Sequence, residues 1–117
     1  MNRRVAERQG RSGERIAAWW LRLHGWRIVG ERVKTRRGEI DLIARRKDTL
    51  AFIEVKTRVN AAGLATAIDE YRLRRVVAAA EALLPRYGAG ADNIRVDVIL
   101  VRPWRLPVHL VNVWHGQ

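Results

Sequence analysis

Asp41, Glu54 and Lys56 are the residues of this chain whose types and spacing could do chemistry. Two carboxylates supply hard anionic oxygens, the donors that suit magnesium or manganese. A cation held by one or two carboxylates keeps several waters, and one of them, acidified by the metal, is a competent nucleophile toward a phosphodiester. Lys56, two residues from Glu54, could orient that water or neutralise charge developing on the phosphate. Acid-x-Lys in a strand is also, more plainly, a partly exposed salt bridge. The aspartate about a dozen residues upstream sharpens the first reading, because three charged groups converging on one sheet face need a reason.

That convergence requires a hairpin. Glu39 to Ala44 and Thr49 to Thr57 are β-rich runs flanking a polar break at Arg45 to Asp48, the pattern of strand, turn, strand. In the second run Leu50, Phe52, Glu54 and Lys56 fall on one side, and Ala51, Ile53 and Val55 on the other. A two-residue turn centred on Lys47-Asp48 sets Asp41 directly across from Glu54. Like charges so placed are destabilising, so something positive belongs between them: Lys56, or a divalent cation.

The remaining elements follow from periodicity. Residues 1–11 read as a flexible basic arm, and residues 12–117 as a single domain. Ser12 is a plausible N-cap for a helix from about Gly13 to His24, with Ile16, Trp19, Trp20 and Leu23 as its buried stripe, flanked by Ala17 and Leu21. Glu14 reads as a first-turn acid beside that stripe. Gly25 stops the helix, Trp26 to Thr35 forms a first strand, and Thr35 to Gly38 a basic turn. The three strands so far predict a sheet with one covered face. Val59 to Thr66 reads as a loop. A second helix spans about Ala67 to Leu84, with Leu73, Val76, Val77, Ala80 and Leu84 on its core face and Arg72, Arg74 and Arg75 on a basic face; Pro85 with Gly88 ends it. Asn93 to Val101 and, after a break from Pro103 to Pro107, Val108 to Trp114 complete the strands. The expected class is α/β in the order α-β-β-β-α-β-β, a mixed central sheet flanked by helices, with parallel pairing of the third and fourth strands through a right-handed crossover.

Composition narrows the partners. The chain has 117 residues, 48% hydrophobic and 30% charged, as in a folded globular protein. There is no cysteine, and His24, His109 and His115 match no zinc spacing. No apolar run is long enough to span a membrane and no signal peptide opens the chain, so a cytoplasmic address and no membrane partner are expected. With 23 Lys+Arg against 12 Asp+Glu the formal charge is +11, and a polyanion is the expected partner, nucleic acid before lipid. Arginine far outnumbers Lys34, Lys47 and Lys56, which genomic base composition also produces.

Gly13-Glu14, the run Arg37-Gly38-Glu39-Ile40-Asp41-Leu42-Ile43-Ala44, Phe52-Ile53-Glu54-Val55-Lys56-Thr57-Arg58 and Arg95-Val96-Asp97-Val98 resemble the bacterial YraN-type family. The likeness runs from Gly13 to about Val113. That family in turn resembles the PD-(D/E)XK nuclease superfamily, particularly archaeal Holliday-junction resolvases. The resemblance implies a restriction-endonuclease-like fold. It also implies that Asp41 and Glu54 bind magnesium or manganese, that Val55 offers its carbonyl, that Lys56 is the catalytic lysine and that Glu14 is the helix-borne acid. Ile40 stands where the superfamily's name has proline, and Arg72 where the second helix is expected to carry lysine, which keeps the charge and changes its geometry.

Three functions fit these residues. The first is a metal-dependent endonuclease on branched or structured DNA, with DNA expected before RNA and with Arg36, Arg37, Arg58, Arg72, Arg74 and Arg75 on the phosphates. Cutting two symmetric strands would suit a homodimer, although no dimer surface is legible. The second is a non-catalytic nucleic-acid-binding module of the same fold. The third is a basic accessory protein of an RNA assembly.

Overall fold

The computed structural model describes residues 3–57 and 69–114, with side chains from Ser12 onward. Its elements are α1 (Arg3–Leu23), β1 (Arg27–Lys34), β2 (Glu39–Arg46), β3 (Thr49–Thr57), α2 (Glu70–Tyr87), β4 (Asn93–Val101) and β5 (Val108–Leu110). The order and the α/β class are those expected. The five strands form one mixed sheet in the order β1-β2-β3-β4-β5, antiparallel except for β3 and β4, which α2 connects in parallel.

The hairpin register is the expected one. Leu42 pairs with Ile53 and Arg46 with Thr49 around the Lys47-Asp48 turn, where Lys47 adopts φ 56°.

With all five strands in place the sheet is flanked by helices, one on each face, as expected. Leu50 and Phe52 of β3 pack with Leu73, Val76, Ala79 and Leu83 of α2. Ala51 and Ile53 pack with Ala17, Ala18 and Leu21 of α1. An apolar strand that alternates between two helices is the central strand of a two-sided sheet, and that is the place β3 takes. The side-chain grouping read from β3 alone is therefore retained, with Glu54 and Lys56 on the α2 side.

Four local expectations are corrected. First, α1 begins at Arg3, so Ser12 lies inside the helix and is not its cap; residues 3–11 belong to the helix in backbone.

Second, α1 is rotated from the expected stripe. Ile16, Trp19 and Leu23 are 42%, 51% and 61% exposed, while Ala17, Ala18 and Leu21 are buried. The reason is close approach. A Cβ added to Gly13 would lie 2.5 Å from Thr57 Oγ1, so the small residues face the sheet and the large ones are left outside.

Third, Pro85 does not end α2. The helix continues to Tyr87, and Gly88 closes it by donating its N–H to the Leu84 carbonyl at 2.8 Å. Its start is the Asp69 N-cap, which accepts from the Tyr71 N–H at 2.9 Å. Gly25, at φ 84°, follows the end of α1 as expected. The Val59 to Thr66 loop and the Ala67-Ile68 start of the second helix lie outside the described residues.

β5 is also shorter than the expected Val108 to Trp114. The chain turns away at Asn112, φ 53°, whose N–H is taken by the Asp97 carboxylate at 2.8 Å.

Candidate metal and phosphate site

β2 and β3 pair as far as Leu42 and Ile53. Beyond that pair, one residue along β2 and two along β3, the backbone N–H of Val55 is donated to Asp41 Oδ2 at 2.8 Å. The acid thus stands where the two strands part, and its side chain takes a bond that a continuing strand would have taken. The N–H and carbonyl of one strand residue point to the same edge, so the Val55 carbonyl faces this same gap.

The gap opens into a cavity of about 680 Å³. Glu14 lines it from α1; Arg32 from β1; Glu39 and Asp41 from β2; Glu54 from β3; and Asp69, Tyr71, Arg72, Arg75 and Val76 from the start of α2. Asp41 and Glu54 are brought together as expected, and Glu14 faces the same space. Burial pushes the Asp41 carboxyl up to about 6, with the charges of Glu14, Glu54 and Glu39 adding to it and the Val55 N–H pulling the other way.

The positive charge beside Glu54 comes from two side chains. Lys56 Nζ lies 3.3 Å from Glu54 Oε1, and the two side chains are only 4% and 7% exposed. Arg72 Nε lies 3.2 Å from the same oxygen. Lys56 is thus buried against Glu54 and is not part of the cavity wall, whereas Arg72 is mostly exposed above it.

The arginines divide. Arg72 and Arg75 line the cavity. Arg37 lies 3.9 Å from Glu81, Arg74 lies 4.0 Å from Glu70, and Arg36 is exposed in the Thr35 to Gly38 turn. That turn is held by Thr35 Oγ1, which accepts from the Arg37 and Gly38 N–H groups at 3.1 Å. Arg58 lies outside the described residues.

Arg32 was not legible as a site residue. It sits on β1 between Glu31 and Val33, which pair with Leu42 and Ile40, so it lies across from Asp41. Its backbone is left-handed at φ 50°, and its Nε lies 3.8 Å from Glu14 and 3.9 Å from Glu39. Nothing in a strand-like sequence marks the residue at which a strand kinks. Its signal exists only in the backbone.

Among the described residues no three of His, Cys, Asp or Glu are close enough to share a metal ion. A site of two carboxylates would suit magnesium, because that ion dehydrates reluctantly and takes most of its ligands from water and substrate. The donors fit the ion: oxygen only, with Asp41 and Glu54 among the five described acids that line the cavity and the Val55 carbonyl facing the gap.

The profile of Uncharacterised protein family UPF0102 matches residues 13–101, the span from the close-approach glycine of α1 to the end of β4. The chain belongs to this family. It is the YraN-type family to which the motifs pointed. A UPF0102 protein from Rhizorhabdus wittichii is 84% identical over 118 residues, covering 100% of both chains. One from Sphingopyxis alaskensis is 63% identical, covering 97% of this chain and 98% of its own. One from Erythrobacter litoralis is 55% identical over the same shares. The UPF0102 match encloses Glu14, Arg32, Asp41, Glu54, Lys56, Arg72 and Arg75, so the whole cavity falls within the family's span.

Proposed function

We propose that this protein binds nucleic acid and hydrolyses its phosphodiesters with a divalent cation, on branched or structured DNA in preference to RNA. The observation that carries the reading is Asp41 and Glu54 converging on one cavity where two strands part, with arginines on its walls, in a chain of net charge +11. A basic binding surface has no use for opposed acids, which repel the phosphates it must attract.

Asp41, Glu54 and the Val55 carbonyl would hold magnesium or manganese, with Glu14 facing them. The cation supplies Lewis acidity toward a phosphoryl oxygen and makes a water more acidic. Asp41 is fixed by the Val55 N–H, so its free carboxylate oxygen stays aimed at the cavity. Arg72 and Arg75 line the wall at which a phosphate enters, and Arg72 can exchange its contact with Glu54 for one with the phosphate. Lys56, the residue after the Val55 carbonyl, neutralises the buried Glu54 from behind the cavity wall.

A second reading, a binding module that does not cut, is favoured by one observation. Glu54 is already held by two cations, at 3.3 and 3.2 Å, which is a satisfied ion-pair network without a metal.

Cleavage assays on duplex, flap, four-way-junction and single-stranded substrates, with magnesium, manganese or chelator, separate the two. Hydrolysis is expected to need the cation and to disappear in Asp41→Asn, Glu54→Gln and Lys56→Ala while binding persists. Binding without cleavage of any substrate under either metal would leave the module. Activity that survives chelation would mark a contaminant.

A further inference from the structure

Between β4 and β5 the chain reads Arg102-Pro103-Trp104-Arg105-Leu106-Pro107. Trp104 is fully exposed and Leu106 is 66% exposed. The Trp104 backbone is left-handed, at φ 60°, a conformation in which an L-residue this bulky is strained. Pro103 and Pro107 bracket the turn, each with φ fixed by its ring, so the segment is stiff as well as strained. A strained backbone that presents a large apolar ring to water is an outlier that points toward function.

Two further observations say what the ring meets. Arg105 is exposed beside it, and Arg102 is half-buried, with an Nε that has no hydrogen-bond partner among the described residues. The turn also starts at the site's end of the sheet. In the parallel register Leu100 lies beside Lys56 and Val101 beside Thr57, so the chain enters the turn one strand away from the end of β3 that carries Glu54 and Lys56.

We propose that Trp104 is a stacking platform for an unpaired base of a bound nucleic acid, with Arg102 and Arg105 on the adjoining phosphates. The inference rests on the proposed nucleic-acid binding and narrows its substrate class to strands with unpaired bases near the scissile position. A base offers a π-face to the indole whatever its identity, and arginines on either side track the backbone. A protein partner fits less well. Two apolar side chains between two prolines offer neither a hydrogen-bonding edge nor an area near the roughly 1,000 Å² of a specific interface.

The test uses anisotropy binding in chelator, so cleavage plays no part. The probes are a labelled 20-nucleotide single strand, a fully paired duplex, and the same duplex with a single-stranded flap. Trp104→Ala is expected to weaken binding to the single strand and the flap by about 10-fold and to leave the duplex unchanged, since one stacked base is worth roughly 1 to 3 kcal/mol. Trp104→Phe should restore most of the loss, and Arg105→Ala should instead lower the salt slope on all three probes. An unchanged affinity of Trp104→Ala for the single strand and flap, in a parent that binds them, overturns the platform and leaves the proposed function standing. Equal losses on the duplex overturn it as well. A parent that binds no probe removes the proposed function and the platform together. Parent-only self-association in sedimentation, or parent-only binding to phosphatidylglycerol vesicles, with no change on nucleic acid, would give the ring to another partner.

Discussion

Val55 gives its backbone N–H to Asp41 at 2.8 Å, across the point at which β2 and β3 cease to pair. One bond therefore both ends a hairpin and aims an acid. It also holds the acid in an environment that works against its charge.

Asp41 is expected to make the protein less stable as pH rises. Its folded-state pKa of about 6 lies above the ordinary 3.8, so between those values the folded chain keeps a proton that the unfolded chain has released. Stability should fall across that window and recover below it. The difference corresponds to about 2 to 3 kcal/mol. Asp41→Asn keeps an oxygen for the Val55 N–H, so it should flatten the slope between about pH 4 and pH 6 and exceed the parent at about pH 8 by roughly 1 to 2 kcal/mol. Urea unfolding across this range checks it; an Asp41→Asn slope equal to the parent's would refute it.

Glu54 should respond with the opposite sign. Its removal strands the buried Lys56 ammonium, so Glu54→Gln is expected to cost about 3 to 5 kcal/mol. A Glu54→Gln, Lys56→Met double variant should lose less than the sum of its parts, because the stranded charge is gone. Magnesium should raise the melting temperature of the parent and do so far less for Asp41→Asn. Thermal unfolding with and without metal reads both effects, and a parent indifferent to magnesium and manganese would remove the metal from the site.

Gly13 and Thr57 form a tighter test of the α1 packing. Gly to Ala inside a helix is normally worth about 1 kcal/mol in the helix's favour. Here the new methyl meets Thr57 Oγ1, and overpacking of this kind costs about 1 to 3 kcal/mol. Gly13→Ala should therefore destabilise the parent yet stabilise a Thr57→Ala background. The same sign in both backgrounds would mean that the helix does not approach β3 this closely.

Asp97 ties down the far edge of the sheet. It is fully buried and accepts from Arg95 at 2.8 Å and from the Asn112 N–H at 2.8 Å, with His109 Nε2 at 2.7 Å. Burial raises its pKa, and the three partners outweigh that and leave it below the ordinary value. Its stabilisation is therefore present above about pH 4 and lost as pH falls through the lowered value, the reverse of Asp41. Asp97→Ala leaves all three partners unpaired and should cost about 3 to 5 kcal/mol. Hydrogen exchange should show Val108–Leu110 opening first. Full protection of β5 in that variant would show that the strand stands without the acid.

Much of the site was legible before any coordinates because strand alternation and a two-residue turn are local rules. They put Glu54 and Lys56 on one face, which holds, and Asp41 directly across from Glu54, where the ladder has already ended at Leu42 and Ile53 and the two acids meet at the cavity instead. The β4 limits, Asn93 to Val101, follow from equally local signals, whereas Asp69, which falls within the helix expected from about Ala67, is its N-cap. What local rules cannot carry is the distance of closest approach between elements. Ile16, Trp19 and Leu23 make the stronger apolar stripe by composition, yet α1 turns Gly13, Ala17, Ala18 and Leu21 to the sheet. Burial depends on how near two backbones can come, and only the packed sheet decides that.

The same distinction divides the charged residues. That acids and cations would meet near Asp41 follows from the order of residues along two strands. Which cation meets which acid does not. Arg32 reaches the cavity through a left-handed kink in β1, Arg72 reaches Glu54 from a helix 18 residues further along the chain, and Asp97 collects donors from β4, β5 and the turn beyond. Each of these contacts joins segments that share no local periodicity, so the sequence determined the chemistry available and the tertiary structure alone decided its partners.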